Sequence, residues 1–187
     1  RKENRKSKWN GYGYSWDDCK GGDCDKEYDY EMNYSIKVPR NINVVVSAVN
    51  NGDVRIEGTS KSVSADNVNG SIQLKNISGA TYASTINGDV DLDYVSNPPG
   101  DSRYYSLNGD INANFKKGLT ADLSFESFNG DLYTNVEQLE SMPVSMEKKS
   151  TAKGVKYKIG GTRYRIGKGG VHFDFETFNG DVYLKEM

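Results

Sequence analysis

Set in rows of nine, residues 54–95 read VRIEGTSKS, VSADNVNGS, IQLKNISGA, TYASTINGD and VDLDYV. Val54, Val63, Ile72, Thr81 and Val90 head the rows, and Ile56, Ala65, Leu74, Ala83 and Leu92 stand two places later. Thr59, Val68, Ile77, Ile86 and Val95 come three places after those. A pair at period two, a further apolar residue and then polar residues describe a short strand running into a corner. A phase kept over five rows is internal repetition, which decides the architecture before any local reading does. This register expects Ile72, Leu74, Ile77, Val90 and Leu92 inside, and Gln73, Lys75, Asp91 and Asp93 exposed.

Every second corner is marked. Asn51-Gly52, Asn69-Gly70, Asn87-Gly88, Asn108-Gly109, Asn129-Gly130 and Asn179-Gly180 follow one another at 18, 18, 21, 21 and 50 residues. Two strands per coil of 18–21 residues follow. Units beginning at Val54, Ile72, Val90, Ile111, Leu132 and Val182 form one column, and those at Val63, Thr81, Ser102, Leu123 and Phe173 the other. Both residues of Asn-Gly accept positive φ at low cost, which suits a corner. In a hairpin protein the same dipeptide signals antiparallel strands. A meander gives no reason for a constant phase, whereas a coil climbing one strand per turn does. The fold expected is all-β: a single-stranded parallel β-helix, or solenoid, coiling right-handed. An antiparallel meander is the alternative.

Hydrophobic residues make up 35% and the mean hydropathy is −0.74, which suits a narrow two-sheet body with a thin core. Thirteen Tyr and 20 Gly favour strands and turns. A net charge of −2 gives no reason to expect a nucleic-acid partner. No apolar run approaches the length of a membrane span. The chain opens Arg-Lys-Glu rather than with Met, so a removed upstream segment such as a signal peptide is expected.

Residues 1–27 read as a flexible tail, basic at first and then aromatic with Gly, from Trp9 to Trp16. Its alternative role is an aromatic segment that stacks on sugars or on the solenoid end. Cys19 and Cys24, with Gly-Gly between them, either close a small disulfide loop or stay unpaired. Residues 28–187 read as the solenoid domain, with an insertion at about 137–170. Tyr34-Ser-Ile36-Lys-Val38-Pro39 reads as a first strand, and 42–49 completes the first coil. In the insertion, the alternations 156–159 and 163–166 either pair locally or form one irregular coil. The pattern then resumes with Phe173, so the core is expected to turn aromatic: Phe125, Phe128, Phe173, Phe175 and Phe178, with the 125/128 and 175/178 pairs stacked.

Calcium-binding toxin repeats share the nine-residue unit, but here Ile72 and Leu74 stand where that motif needs Gly and a ligand Asp. No metal and no cofactor is therefore expected. Asp53, Asp89, Asp110, Asp131 and Asp181 follow the Asn-Gly corners, with Ser71 in the row, and capping of local backbone N–H groups is their expected work, with divalent-cation binding the alternative. Asp91 with Asp93, and Asp174 with Glu176, face outward as solvated charge, and His172 should meet solvent. No nucleophile–base arrangement is evident, so no catalytic residue is assigned. The largest charge asymmetry is the basic run from Lys148 to Lys168. It reads either as a solvated insertion or as a contact for an anionic polymer or membrane surface. Insertions accumulate at the corner opposite Asn-Gly, where binding residues in solenoids collect. The candidate binding surface is thus Lys156, Lys158, Arg163, Arg165 and Lys168, aided by Tyr133 and Tyr183.

The 34–39 segment, the serial Asn-Gly-Asp-hydrophobic units and the closing Phe178-Asn-Gly-Asp-Val-Tyr-Leu-Lys185 resemble bacterial putative-adhesin proteins, a group of β-repeat domains called toast-rack. The resemblance covers about residues 28–187. It implies an exported, non-enzymatic β-solenoid serving as an adhesin-like binding or structural module of the cell envelope. An unknown envelope protein or polysaccharide would be its partner. The alternatives are a sensor or scaffold domain in envelope-stress signalling and, last, a carbohydrate-active β-helix enzyme. The resemblance carries no catalytic residues.

Overall fold

The computed structural model describes residues 32–49, 52–144, 146–151, 154–159 and 161–187, together with the strands Ser7–Trp9 and Tyr14–Trp16. The chain divides into two units, Arg1–Lys37 and Val38–Met187, each taken by itself. In the first, the two short strands pair antiparallel. Cys19 and Cys24 lie outside the described residues. The strand expected at 34–39 is absent: 32–39 carry no strand, and Tyr34 and Ile36 are 80% exposed. Alternating hydrophobicity makes a strand only where a neighbour takes up its backbone groups, and no described strand does so here.

The second unit is a parallel β-solenoid of two facing sheets. Sheet one runs, in spatial order, Val54–Glu57, Ile72–Ile77, Val90–Tyr94, Ile111–Phe115, Val182–Glu186 and Leu132–Thr134. Sheet two runs Val44–Ala48, Val63–Asn69, Thr81–Asn87, Ser102–Asn108, Val171–Asn179 and Ala121–Asn129, all parallel, then Thr162–Ile166 and Leu139–Met142. The nine-residue phase is the observed register: Val54 lies against Ile72, Ile72 against Val90, and Val63 against Thr81.

The order of the coils departs from the order of the chain. The last coil, 171–186, lies between 102–115 and 121–134. Phe175 therefore has Tyr104 on one side and Phe125 on the other. Placing the last coil beyond 121–134 would pair Phe125 with Phe175 equally well, so the repeat pattern does not distinguish the two orders. The insertion supplies the slack for the return. Its strand Thr162–Ile166 pairs antiparallel with Ala121–Asn129, and Leu139–Met142 pairs antiparallel with Thr162–Ile166. The two Tyr-rich alternations thus neither pair with each other nor form one coil. Gly154–Ile159 instead pairs antiparallel with Met146–Thr151.

Ile72, Leu74, Ile77, Val90 and Leu92 are buried, as the register expects. Gln73, Lys75, Asp91 and Asp93 face outward but are half-buried rather than exposed, because side chains on adjacent coils lie alongside them. The third position of the repeat holds only at Thr59 and Ile77, in the sheet-one column, where Val95 is nevertheless 50% exposed. Along Thr81–Asn87 the alternation continues to the corner, so Thr85 turns in and Ile86 turns out, 40% exposed. For the same reason Phe128 and Phe178 leave the core, at 73% and 44% exposure, although their rings stack as expected, 4.8 Å apart. The aromatic core is instead Tyr94, Phe115 and Phe173 in a continuous stack, with centroids 4.9 and 5.2 Å apart, and Phe175 beside Tyr104 at 4.7 Å.

Candidate functional site

The Asn-Gly edge is held by three side-chain ladders. Hydroxyls at the buried position two before Asn donate to the glycine carbonyl of the neighbouring coil: Thr85 to Gly70 and Ser106 to Gly88, both at 2.9 Å. Asn67 does the same with its amide to Gly52 at 2.8 Å. The corner asparagines donate to one another: Asn87 to Asn69, Asn108 to Asn87, Asn179 to Asn108 and Asn129 to Asn179, at 2.8–3.0 Å. The aspartates accept not from local N–H groups but from the next coil, as Asp110 N–H donates to Asp89 at 2.9 Å and Asp131 N–H to Asp181 at 2.9 Å. At the corners of Gly70, Gly88, Gly109 and Gly180 it is the glycine that takes positive φ; among the described residues Asn76, at the opposite edge, is the one non-glycine that does. The asparagines are therefore selected for their side-chain ladder.

The outer face of sheet two carries the most varied chemistry. A groove of about 410 Å³ opens over the starts of its strands, with Val44, Val45 and Ala80 as apolar lining and Tyr82, Asp101, Arg103, His172 and Asp174 as polar lining. The registers that align Asp174 with Arg103 and Arg103 with Tyr82 put these residues in one row. Arg103 is ion-paired with both Asp174 and Glu176, so these carboxylates clamp a cation. Hydrogen bonding to Glu176 raises the guanidinium pKa further. His172 is half-buried rather than fully solvated. Its Nε2 lies 3.0 Å from Ser124 Oγ, and its backbone N–H donates to Asp101 at 2.7 Å. The Ser–His pair is a contact the sequence reading missed, because it is diagonal: the register sets His172 opposite Asp122 and Ser124 opposite Asp174. Asp101 holds the backbone of His172, not its Nδ1, so it does not orient the ring as a third catalytic member would.

The residues expected to form one binding surface fall on two faces. Arg163 and Arg165 lie on the outer face of sheet two, opposite Ser124 and Asp122. Arg165 Nε donates to Asp122 at 2.7 Å, and that bond holds the Asp122 carboxyl below the usual range. Tyr133 and Tyr183 stack on the outer face of sheet one, centroids 5.1 Å apart, with Lys185 Nζ 5.8 Å from the Tyr183 ring. The Tyr183 hydroxyl donates to Asp181 at 3.2 Å. Lys168 is exposed in the turn after Ile166. Lys156 and Lys158 belong to the strand Gly154–Ile159, and their side chains lie outside the description. Tyr82 and Arg103, absent from the expected set, had a signal in sequence: both occupy the second position of their units.

A family model described as Toastrack DUF4097 matches residues 41–184. No curated protein and no solved structure matches the chain.

Proposed function

This chain belongs to the toastrack family, and from that premise we propose that it is an exported, non-enzymatic binding or structural module of a bacterial cell envelope, adhesin-like in use. The groove on the outer face of sheet two is the observation that supports this reading. A rigid ladder holds Tyr82 beside Arg103 and Asp174 over an apolar strip, so an aromatic face, a cation and acceptors lie together on a shallow surface. That combination suits an extended polar ligand such as a polysaccharide, which stacks on an aromatic ring and hydrogen-bonds along its length. Arg163 and Arg165 continue the same face toward the solenoid end.

The test is a binding screen of the intact chain against a polysaccharide panel and isolated envelope material. For any ligand found, Tyr82→Ala with Arg103→Ala should weaken binding at least tenfold, and binding should weaken as salt rises. A double variant that stays folded and binds undiminished would remove this groove as the site. Loss of binding only on neutralising Lys156, Lys158, Arg163 and Arg165 would move the site to the insertion.

A further inference from the structure

The two sheets end unequally. Sheet two has eight strands and sheet one six. At the shared end, sheet two continues past Ala121–Asn129 with Thr162–Ile166 and Leu139–Met142, while among the described residues sheet one stops at Leu132–Thr134. Val182 N–H donates to Asp131 O at 2.9 Å, so in the parallel ladder Tyr133 also faces that neighbour. The N–H and C=O groups of Leu132 and Thr134 then point to the free side. Leu132, Phe125, Leu139 and Tyr164 are only partly buried at this end of the core. A raw strand edge above half-covered apolar side chains is a template for another strand.

The chain itself contains a pair of strands of the right kind. Leu139–Met142 runs parallel to Ala121–Asn129, since both pair antiparallel with Thr162–Ile166. It therefore heads toward the Asn-Gly corner as every coil of sheet two does. Three residues, 143–145, separate it from Met146–Thr151, and two, 160–161, separate Gly154–Ile159 from Thr162–Ile166. Regular corners use two residues, as between Asn129 and Leu132. A strand of sheet two, a corner-length link, a strand, a return strand, a second corner-length link and a strand of sheet two is the path of a cap spanning both sheets. The hairpin nevertheless forms its own two-stranded sheet, and Met146 is 65% exposed. In sequence, Val155, Tyr157 and Ile159 alternate with Lys156 and Lys158, the pattern of a strand with one covered face.

We propose that the free edge of Leu132–Thr134 is a strand-docking site and that its occupant is this chain's own hairpin, with Gly154–Ile159 pairing antiparallel to it. Docking raises sheet one to eight strands, level with sheet two, and covers Leu132 and Phe125. It also brings Gly154–Ile159, the strand to which Lys156 and Lys158 belong, next to the strand of Tyr133. The hairpin is thus a lid over an edge that can otherwise accept an extended peptide.

Amide hydrogen exchange on the full chain, read residue by residue, tests this. The Leu132 and Thr134 amides should exchange at least tenfold more slowly than unprotected amides. Lys156→Pro or Tyr157→Pro, which remove an amide from one edge or the other of the docking strand, should abolish that protection and leave Val182 protected. A disulfide trap gives a second readout. In a Cys19→Ser, Cys24→Ser background, Tyr133→Cys combined with either Lys156→Cys or Lys158→Cys should close an intramolecular bond in one of the two pairings. Unprotected Leu132 and Thr134 in the unaltered chain overturn the proposal, as does failure of both traps. Protection that survives both prolines, or that falls on dilution, assigns the edge to another occupant and overturns it too.

Discussion

At the Asn-Gly edge, after the wider first corner at 49–53, two residues separate the strands each time: 70–71, 88–89, 109–110, 130–131 and 180–181. At the opposite edge the gap is three residues at 78–80, five at 58–62 and 116–120, and seven at 95–101. Both edges turn the same chain through the same kind of corner, so the difference lies in what each corner touches. The Asn-Gly corner stacks on its neighbour through backbone: a Cβ on Gly88 would lie 2.5 Å from Gly70 O. The opposite edge is uneven: in its shortest corner a Cβ on Gly79 would lie 2.0 Å from Lys61 O, whereas one on Gly118, in a longer corner, would meet nothing within 4 Å. Contact with the next coil removes freedom of length, and its absence leaves the edge open to insertions.

Alanine at one glycine of each edge gives the largest expected effect. Gly88 has φ 145° and Gly118 φ 83°, so both substitutions strain the backbone. Only Gly88→Ala adds a backbone collision, and it should cost about 3–5 kcal/mol, against about 1–2 for Gly118→Ala. Urea denaturation of the two variants measures the gap, and equal losses would break the comparison.

Burial in the middle coils gives the next effect. The Tyr94 and Tyr104 hydroxyls meet at 2.9 Å inside the core. Desolvation, chiefly, pushes the Tyr94 hydroxyl up to about 12 and Tyr104 well above its ordinary value. A pKa raised by folding favours the protonated native state. The stability it contributes is therefore complete below pH 10, the unfolded value, and is lost as pH rises toward the folded value. Tyr94 alone should account for about 2–3 kcal/mol lost between pH 10 and 12. Tyr94→Phe should flatten that slope in denaturation curves recorded across the range.

Much of this was legible in the sequence. Val54, Ile72 and Val90 share a phase, and a phase kept over five units has one simple structural cause. The same phase could not order the coils, because Phe125 and Phe175 are neighbours wherever the last coil sits relative to 121–134. It also misjudged Ile86 and Phe178, since an apolar residue beside Asn-Gly looks like core. The strand keeps its alternation to the corner, and the glycine carbonyl rewards a buried hydroxyl there. Of the candidate site, the stack of Tyr133 on Tyr183 follows from shared phase. The pairing of Arg165 with Asp122 does not, because it depends on an antiparallel return of 43 residues.

The hydroxyl ladder can be tested apart from the glycines. Thr85→Val keeps the shape and removes the donor to Gly70 O. Thr85 is fully buried, so the carbonyl loses its partner without gaining water, and the cost should be about 1–3 kcal/mol. At the free corner Thr120→Val, at an exposed position, should fall within about 0.5 kcal/mol of the unaltered chain. Thermal unfolding of the two valine variants makes the comparison.

The smallest effect should come from the aspartates, which by charge look the most consequential. Asp110 N–H reaches Asp89 at 2.9 Å and Asp181 N–H reaches Asp110 at 2.8 Å. In the same row Ser71 accepts from Asp89 N–H with a neutral hydroxyl at 3.3 Å. The ladder therefore uses an oxygen and does not depend on a negative charge. Asp89→Asn with Asp110→Asn keeps an oxygen at each rung and removes repulsion between stacked carboxylates, so the midpoint of unfolding should move by less than about 0.5 kcal/mol. Alanine at the same positions removes the acceptor and should cost more than asparagine. Chelator treatment should leave the midpoint where it was. A large fall in midpoint with asparagine, or one caused by chelator and restored by calcium, would mean that charge at this edge holds a cation, and the edge would then be a binding site as well as a scaffold.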